Sequence, residues 1–215
     1  MTATTTSYTG RTKYTLDRAR KYQQRPPAKH RAEMRLLDRA FALIPKEHRV
    51  LDAPCGTGRV SVHFARRGYA MTAADLSPAM VEVARETMKH NGLDVSVQQQ
   101  DIEALTFPDR AFDTVVSFRL FHHFPTVEIR RRAVHNLCRV TAKTVVLSYF
   151  APSLSALRRK LRERRGGPRK YITPLKEVAC YFSEAGFRLV KDFSQTPLIH
   201  TLHVAVFERT GANTR

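Results

Sequence analysis

Val50-Leu51-Asp52-Ala53-Pro54-Cys55-Gly56-Thr57-Gly58-Arg59 is the stretch on which the reading of this chain turns. An apolar, β-branched lead-in ends in an acid. A tight turn with two glycines follows, and a helix-forming run begins at Gly58. Strand, loop and helix start therefore follow one another directly. Glycine permits positive φ and lets backbone come close to a ligand, so Gly56 and Gly58 are expected to place N–H groups near a bound molecule. A second apolar segment, Tyr69 to Asp75, ends in an acid 23 residues after Asp52, and a third, Val95 to Gln99, is followed by Asp101. In open α/β sheets ligands sit outside the carboxyl ends of the strands. Asp52 is then placed to attract a cationic group, Asp75 to accept two ribose hydroxyls, and Asp101 to accept from an adenine amino group while Ile102 packs on the ring.

The flanking pattern extends this unit in both directions. Residues 1–12 read as a disordered arm. Tyr14 to Gln24 reads as a short helix stopped by Arg25-Pro26-Pro27, since proline lacks the N–H and disfavours helix before it. His30 to Ile44 has apolar residues at the spacing of one helix face, and Pro45 ends it. Gly58 to Arg67 is the first crossover helix, closed by Gly68. Ser77 caps the next helix with Pro78 at its first position; Asn91-Gly92 ends it. Phe112 to Phe118 is a near-continuous apolar run, as in a strand buried on both faces. A helix over Thr126 to Val140, a strand over Thr144 to Phe150 and a basic helix over Pro152 to Arg165 come next. Thr173 caps a further helix that runs to Ala185. Phe187 to Phe193 and His200 to Phe207 are close enough to pair as an antiparallel hairpin at the sheet edge. Strands alternating with helices imply a mostly parallel, seven-stranded sheet with right-handed crossovers and helices on both faces.

At 215 residues with 42% hydrophobic content, the chain suits one α/β domain with a substantial core. No apolar run approaches the roughly 20 residues of a membrane span. Met1 to Gly10 is Thr-rich and shows no apolar signal core, so a cytoplasmic location is expected. Cys55, Cys138 and Cys180 are far apart and odd in number, which indicates neither a disulfide framework nor a metal site. The net charge is +18, and its placement is uneven. Residues 1–50 carry 12 Lys/Arg against 4 Asp/Glu, residues 51–150 carry 12 against 10, and residues 151–170 carry 8 against 1. The basic flanks attract phosphates, anionic lipid headgroups or acidic small molecules.

Leu51 to Gly58 resembles motif I of class I S-adenosylmethionine (SAM)-dependent methyltransferases. Ala73-Ala74-Asp75-Leu76-Ser77-Pro78-Ala79-Met80 is similar to their second motif. Gln100 to Leu105, followed by Phe107-Pro108 and Phe112 to Ser117, resembles the third and fourth. The likeness spans roughly residues 47–150 with the trailing helix and hairpin, and is strongest to the branch that includes ubiquinone- and menaquinone-biosynthesis methyltransferases. It implies a Rossmann-like methyltransferase domain over 46–210, preceded by a basic arm and helices over 1–45 that can cover the pocket, with 152–172 as a lid-like insertion and 211–215 as a tail. Pro54 departs from the pattern, which usually has glycine there.

The resemblance also implies roles. SAM is the cofactor and S-adenosylhomocysteine (SAH) the product. Asp52, Ala53, Pro54, Cys55, Gly56 and Gly58 form the motif I part of the site, with Asp52 near the cofactor's amino group. Asp75 binds the ribose, Leu76 and Met80 line the nucleoside pocket, and Asp101 and Ile102 hold adenine. Ser117, Phe118 and Arg119 face the methionine part. His122 or His123, in the loop where the family's active site lies, is placed to remove a proton from a phenol, hydroxyl or amine, which an imidazole does well at neutral pH. Tyr22, Arg25 and Tyr149 are further pocket candidates. The expected acceptor is an oxygen or nitrogen of a small or lipid-linked molecule. The Asn-Pro-Pro-aromatic marker of base and glutamine methylation is absent, which disfavours an RNA or DNA methyltransferase. A catalytically idle protein of the same fold, binding an anionic partner through its basic flanks, is the other alternative. Leu154, Leu157 and Leu161 lie at helical spacing beside a basic face over 155–170. That pattern fits a pocket lid, a peripheral contact with an anionic inner-membrane surface, or nucleic acid.

Overall fold

The computed structural model describes residues 15–23, 26–154, 170–196 and 201–211. The arm over 1–12, Arg25, most of the basic helix over 155–169, the start of the last strand at His200 and the tail beyond 211 lie outside the described residues.

In chain order the elements are α1 (Leu16–Gln23), α2 (Pro27–Phe41), β1 (Arg49–Asp52), α3 (Arg59–Ala65), β2 (Ala70–Asp75), α4 (Pro78–His90), β3 (Ser96–Gln99), β4 (Phe112–Ser117), a 3₁₀ turn (Phe121–His123), α5 (Val127–Val140), β5 (Thr141–Phe150), α6 (Leu175–Glu184), β6 (Phe187–Ser194) and β7 (Leu202–Arg209). The seven strands lie in the order β3-β2-β1-β4-β5-β7-β6. All pairings from β3 to β5 are parallel, and β7 is antiparallel to both its neighbours. The fold is Rossmann-like, as the βα alternation requires. The hairpin forms, but its second strand is threaded between β5 and β6, so β6 is the edge. Composition explains the choice. Val204 to Phe207 are apolar and buried, whereas β6 carries Arg188, Lys191 and Asp192, the charges that keep an edge strand from pairing further.

Side chains alternate across the strands with period two. Leu51, Val115, Val145, Ala205 and Phe207 pack on one face against α5 and α6. Val50, Val116, Val146, Val204 and Val206 pack on the other, against α2 and α3. Phe182 stacks on Phe207 at 3.8 Å on the first face, and Phe41 on Phe64 at 3.5 Å on the second. Each such buried ring contributes about 1.5–3 kcal/mol. The Tyr69 hydroxyl, 3.0 Å from the carbonyls of both Phe41 and Ile44, ties the end of α2 to this core.

Local signals locate most element ends. Ser77 accepts from the Met80 N–H and Thr126 from the Ile129 N–H as N-caps. Some expectations change, among them the start of β5, at Thr141 rather than Thr144. α2 begins at Pro27, a proline suited to a first helical position, rather than at His30. Thr173 is not a cap: Pro174 takes that place, while the Thr173 N–H donates to Phe150 and its side chain is buried.

Gly58 caps α3 with φ +83°, and a Cβ there would run into the Met88 methyl group on α4. The Met88 methyl is the end of a flexible side chain and can move aside, so it is the left-handed backbone that asks for glycine. Gly58→Ala is therefore expected to lower stability by about 1–3 kcal/mol, read as a lower urea midpoint with an unchanged slope. An unchanged midpoint would show that the left-handed conformation is not required.

Candidate functional site

β1 runs outward to β2 and β3, then the chain returns to place β4 on the other side of β1. At such a reversal the loops after the strands diverge and leave a crevice at the carboxyl ends. A cleft of about 980 Å³, counted out to solvent, occupies this place. Its wall is built by the loops after β1, β2, β3 and β4 and by Tyr22 of α1.

The loop after β1 is stitched to its neighbours by its own backbone. The Ala53 N–H donates to the Val116 carbonyl, extending the parallel ladder one residue beyond β1. The Ala53–Pro54 peptide is cis. The Cys55 N–H then donates to Ala74 (2.7 Å), and the Gly56 N–H, at φ +55°, to Asp75 Oδ2 (2.9 Å). Ala53, Pro54, Cys55 and Gly56 line the cleft; Gly58 does not, because it faces α4.

Asp75 ends β2 on the cleft wall. Its Oδ1 accepts from the Ser77 N–H at 2.9 Å and its Oδ2 from Gly56, both from backbone. Burial raises its pKa, while the hydrogen bonds from Ser77 and Gly56 pull it down. A carboxylate has about four lone-pair positions, so Asp75 retains acceptor capacity toward the cleft. Leu76 and Met80 flank it. After β3, Gln100, Asp101 and Ile102 reach the wall, with Asp101 Oδ1 fixed by the Glu103 N–H at 3.0 Å.

Asp52 is placed differently from expectation. Its side chain is fully buried and is not on the wall. Ser61 Oγ donates to its Oδ2 at 2.7 Å, and Oδ1 has no hydrogen-bond partner among the described residues. Burial pushes its pKa up to about 7, against the lowering effects of the Ser61 hydrogen bond and the Arg59 charge.

At the end of β4, Ser117 is buried in the sheet, off the wall, since strand alternation turns it inward. Phe118, Arg119 and Leu120 line the cleft. Arg119 sits at φ +65°, a conformation that costs a non-glycine residue about 1–3 kcal/mol. Its N–H is held by Ser148 Oγ at 2.6 Å, and its guanidinium by Glu33 Oε1 at 3.0 Å.

The two histidines separate. His123 is on the cleft wall, with Lys170 Nζ 2.8 Å from its Nε2. His122 is buried, stacked on Phe150 at 3.9 Å, and does not reach the wall. Tyr149 is also off the wall. It is fully buried in the core beside α5 and α6, and burial together with Asp192 drives its hydroxyl pKa well up. Tyr22 is on the wall, brought there by the packing of α1 on Met80 and Val83. Among the described residues no group of three or more His, Cys, Asp or Glu is placed to hold a metal ion, and no helix is long and apolar enough to cross a membrane.

The wall includes residues that sequence reasoning passed over. Arg59, Ser77, Gln100 and Leu105 each adjoin a motif residue or lie within a quoted motif. Behind Arg59 and Arg119 stands Glu33 of α2, buried and ion-paired with both. Its signal was an acid at helical spacing with Leu37 and Ala40, on a face that otherwise carries only apolar residues.

Residues 50–144 match the family described as "Methyltransferase domain". The demethylmenaquinone methyltransferase of Thermus thermophilus is 35% identical over 127 residues, covering 57% of this chain and 56% of that protein. A ubiquinone biosynthesis O-methyltransferase of Coxiella burnetii is 35% identical over 80 residues, covering 37% of this chain and 34% of that protein. The chain thus spans only about half and a third of these relatives' lengths. Among solved structures, the magnesium protoporphyrin IX methyltransferase of Synechocystis with bound SAH superposes with a TM-score of 0.74 at 22% identity, covering 91% of this chain and 94% of that one.

The buried Asp52 carboxyl has a pH signature. Its folded pKa, about 7, lies above its unfolded value. The folded state therefore holds the proton that the unfolded state releases, and Asp52 lowers stability progressively as pH rises from about 4 to 7, with no further change above that. Asp52→Asn is expected to gain stability over the native protein through this window, most at pH 7, in urea unfolding at several pH values. An equal difference at pH 4 and pH 7 would reject the raised carboxyl.

Proposed function

Since the chain carries a class I SAM-dependent methyltransferase domain, we propose that it transfers the cofactor's methyl group to an oxygen or nitrogen of a small-molecule or lipid-linked acceptor. The observation that carries this reading is Asp75. It is an acid held by two backbone N–H groups on the wall of a strand-end cleft, with lone pairs left for two vicinal hydroxyls. Asp101 and Ile102 beside it suit an adenine edge and face, and Leu76 and Met80 supply apolar walls. Bound SAM supplies an electrophilic methyl on a sulfonium whose charge is lost in the transfer. The part of the chain is to orient the two reactants in line, exclude water and accept a proton.

His123 is the residue on the wall suited to the last task, because its ring reaches the cleft; the Lys170 ammonium, which donates to Nε2, has to leave that nitrogen before the ring takes a proton. Phe118 and Leu120 form the apolar surface of this end, which favours an aromatic or isoprenoid-bearing acceptor. The relatives named for ubiquinone and menaquinone synthesis support a quinol-type acceptor. A cytoplasmic location, with 155–170 resting on an anionic membrane surface, belongs to the same proposal. The catalytically idle and nucleic-acid alternatives draw support from net charge alone.

Titration calorimetry with SAH tests the cofactor site. The native protein is expected to bind, and Asp75→Ala to bind at least about tenfold more weakly, since hydrogen bonds to a charged group contribute about 1.5–3 kcal/mol. Unchanged affinity would remove Asp75 from the ribose. With catechols and quinols as acceptors, His123→Ala is expected to lower SAH formation by about 10²–10⁴-fold. His122→Ala is expected mainly to lower thermal stability. Equal losses of turnover per folded molecule would reject the separation of the two histidines.

A further inference from the structure

The cleft has two electrically distinct parts. Asp75 and Asp101 make one acidic. Arg59 and Arg119 make the other basic, and these two arginines come from separate loops. Arg59 opens α3, and Arg119 follows β4. Neither loop alone determines where its guanidinium lies. Glu33 does: from α2, with its side chain 2% exposed, it places Oε2 2.7 Å from Arg59 Nη1 and Oε1 3.0 Å from Arg119 Nη1. One carboxylate thus spans two guanidiniums that would otherwise repel. The trio keeps a net charge of +1. Each guanidinium has five N–H donors; Arg119 Nη1 gives one to Glu33, while Arg59 meets Glu33 as an ion pair. The Phe118 ring, 5.3 Å from the Arg59 guanidinium carbon, backs the arrangement. A fork of two arginines at a cleft wall, braced from behind by a buried acid, matches a carboxylate ligand.

We propose that Glu33 is a positioning residue that holds Arg59 and Arg119 as a preformed clamp for the carboxylate at the amino-acid end of SAM and SAH. The proposal rests on the cofactor reading above. The ordering of two long side chains is completed before the ligand arrives, so less freedom is lost on binding. Arg119 has positive φ, and its guanidinium is ion-paired with Glu33.

The test compares two ligands that differ only in the carboxylate: SAH and decarboxylated SAH, which keeps the nucleoside, thioether and ammonium. Glu33→Gln preserves shape and removes the bridging charge. Arg119→Gly removes one guanidinium at a position whose φ glycine accepts freely. For both variants, calorimetry is expected to give at least about tenfold weaker SAH binding, with the decarboxylated ligand changed by less than about twofold. Retained binding of the decarboxylated ligand also shows that the variant cleft is folded. Equal losses on both ligands would make Glu33 a support of the fold only. Unchanged or tighter SAH binding by Glu33→Gln would make it a charge balance and overturn the clamp. If the native protein binds neither ligand, the cofactor reading fails, and the clamp fails with it.

Discussion

The carboxylate of Asp75, gripped by the N–H groups of Gly56 and Ser77, is the interaction on which the cleft depends. It joins the loop after β1 to the loop after β2. The same neighbourhood carries two further backbone bonds, Cys55 to the Ala74 carbonyl and Gln100 to the Asp75 carbonyl, so the loop after β3 is fastened to the same point. Burial makes ionised Asp75 costly and raises its pKa, and the directed backbone donors offset part of that cost. The result is a rim built from three successive loops whose spacing is set by hydrogen bonds rather than by a ligand. Positive φ at Gly56 is what turns its N–H to Asp75.

Three buried acids in this region have divergent roles because their surroundings differ. Asp52 is fully buried, with one hydroxyl donor and an oxygen unpartnered among the described residues, so burial keeps its proton on up to about pH 7. Asp75 has two amide donors and faces the cleft. Glu33 has two guanidiniums and does not face it. Residue type and strand-end position placed the first two alike at the cleft, one toward a cationic group and the other toward ribose hydroxyls. What separates them is one step of geometry: the parallel ladder continues through Ala53, which keeps Asp52 inside the sheet, while the chain turns away immediately after Asp75.

The alternation of strands and crossover helices, the terminal hairpin and most caps were legible because apolar period, proline and glycine report local geometry directly; the strand order is set by long-range pairing. The motif residues of the cleft were legible because they sit on consecutive strand ends. Ser117 and His122 each neighbour a wall residue in sequence, and whether a side chain faces the cleft or the core depends on strand parity and on the 3₁₀ turn, which spacing alone does not resolve. Tyr149 lies on β5, whose neighbouring Ser148 and Phe150 are off the wall as well. The position of β7 inside the sheet was readable in principle from its uninterrupted apolar run beside the charged β6. Glu33 was hidden for a different reason. An acid on an apolar helix face has a visible oddity, but its partners lie 26 and 86 residues away, on loops that only the fold brings together.

The site therefore does not end where the strand–helix pattern begins. A boundary near residue 46 separates Tyr22 and Glu33 from the cleft they complete. Leu36, Leu37, Ala40 and Phe41 of α2 are buried in the same core as Val50, Phe64 and Val116, so α2 is part of the domain by packing as well as by its ion pairs. A buried carboxylate stays fixed only if the helix carrying it is fixed. The apolar face of α2 provides that, and the Tyr69 hydroxyl at its end pins it further. The hydrophobic packing of a helix outside the motif region thus decides where two charges inside the motif region lie.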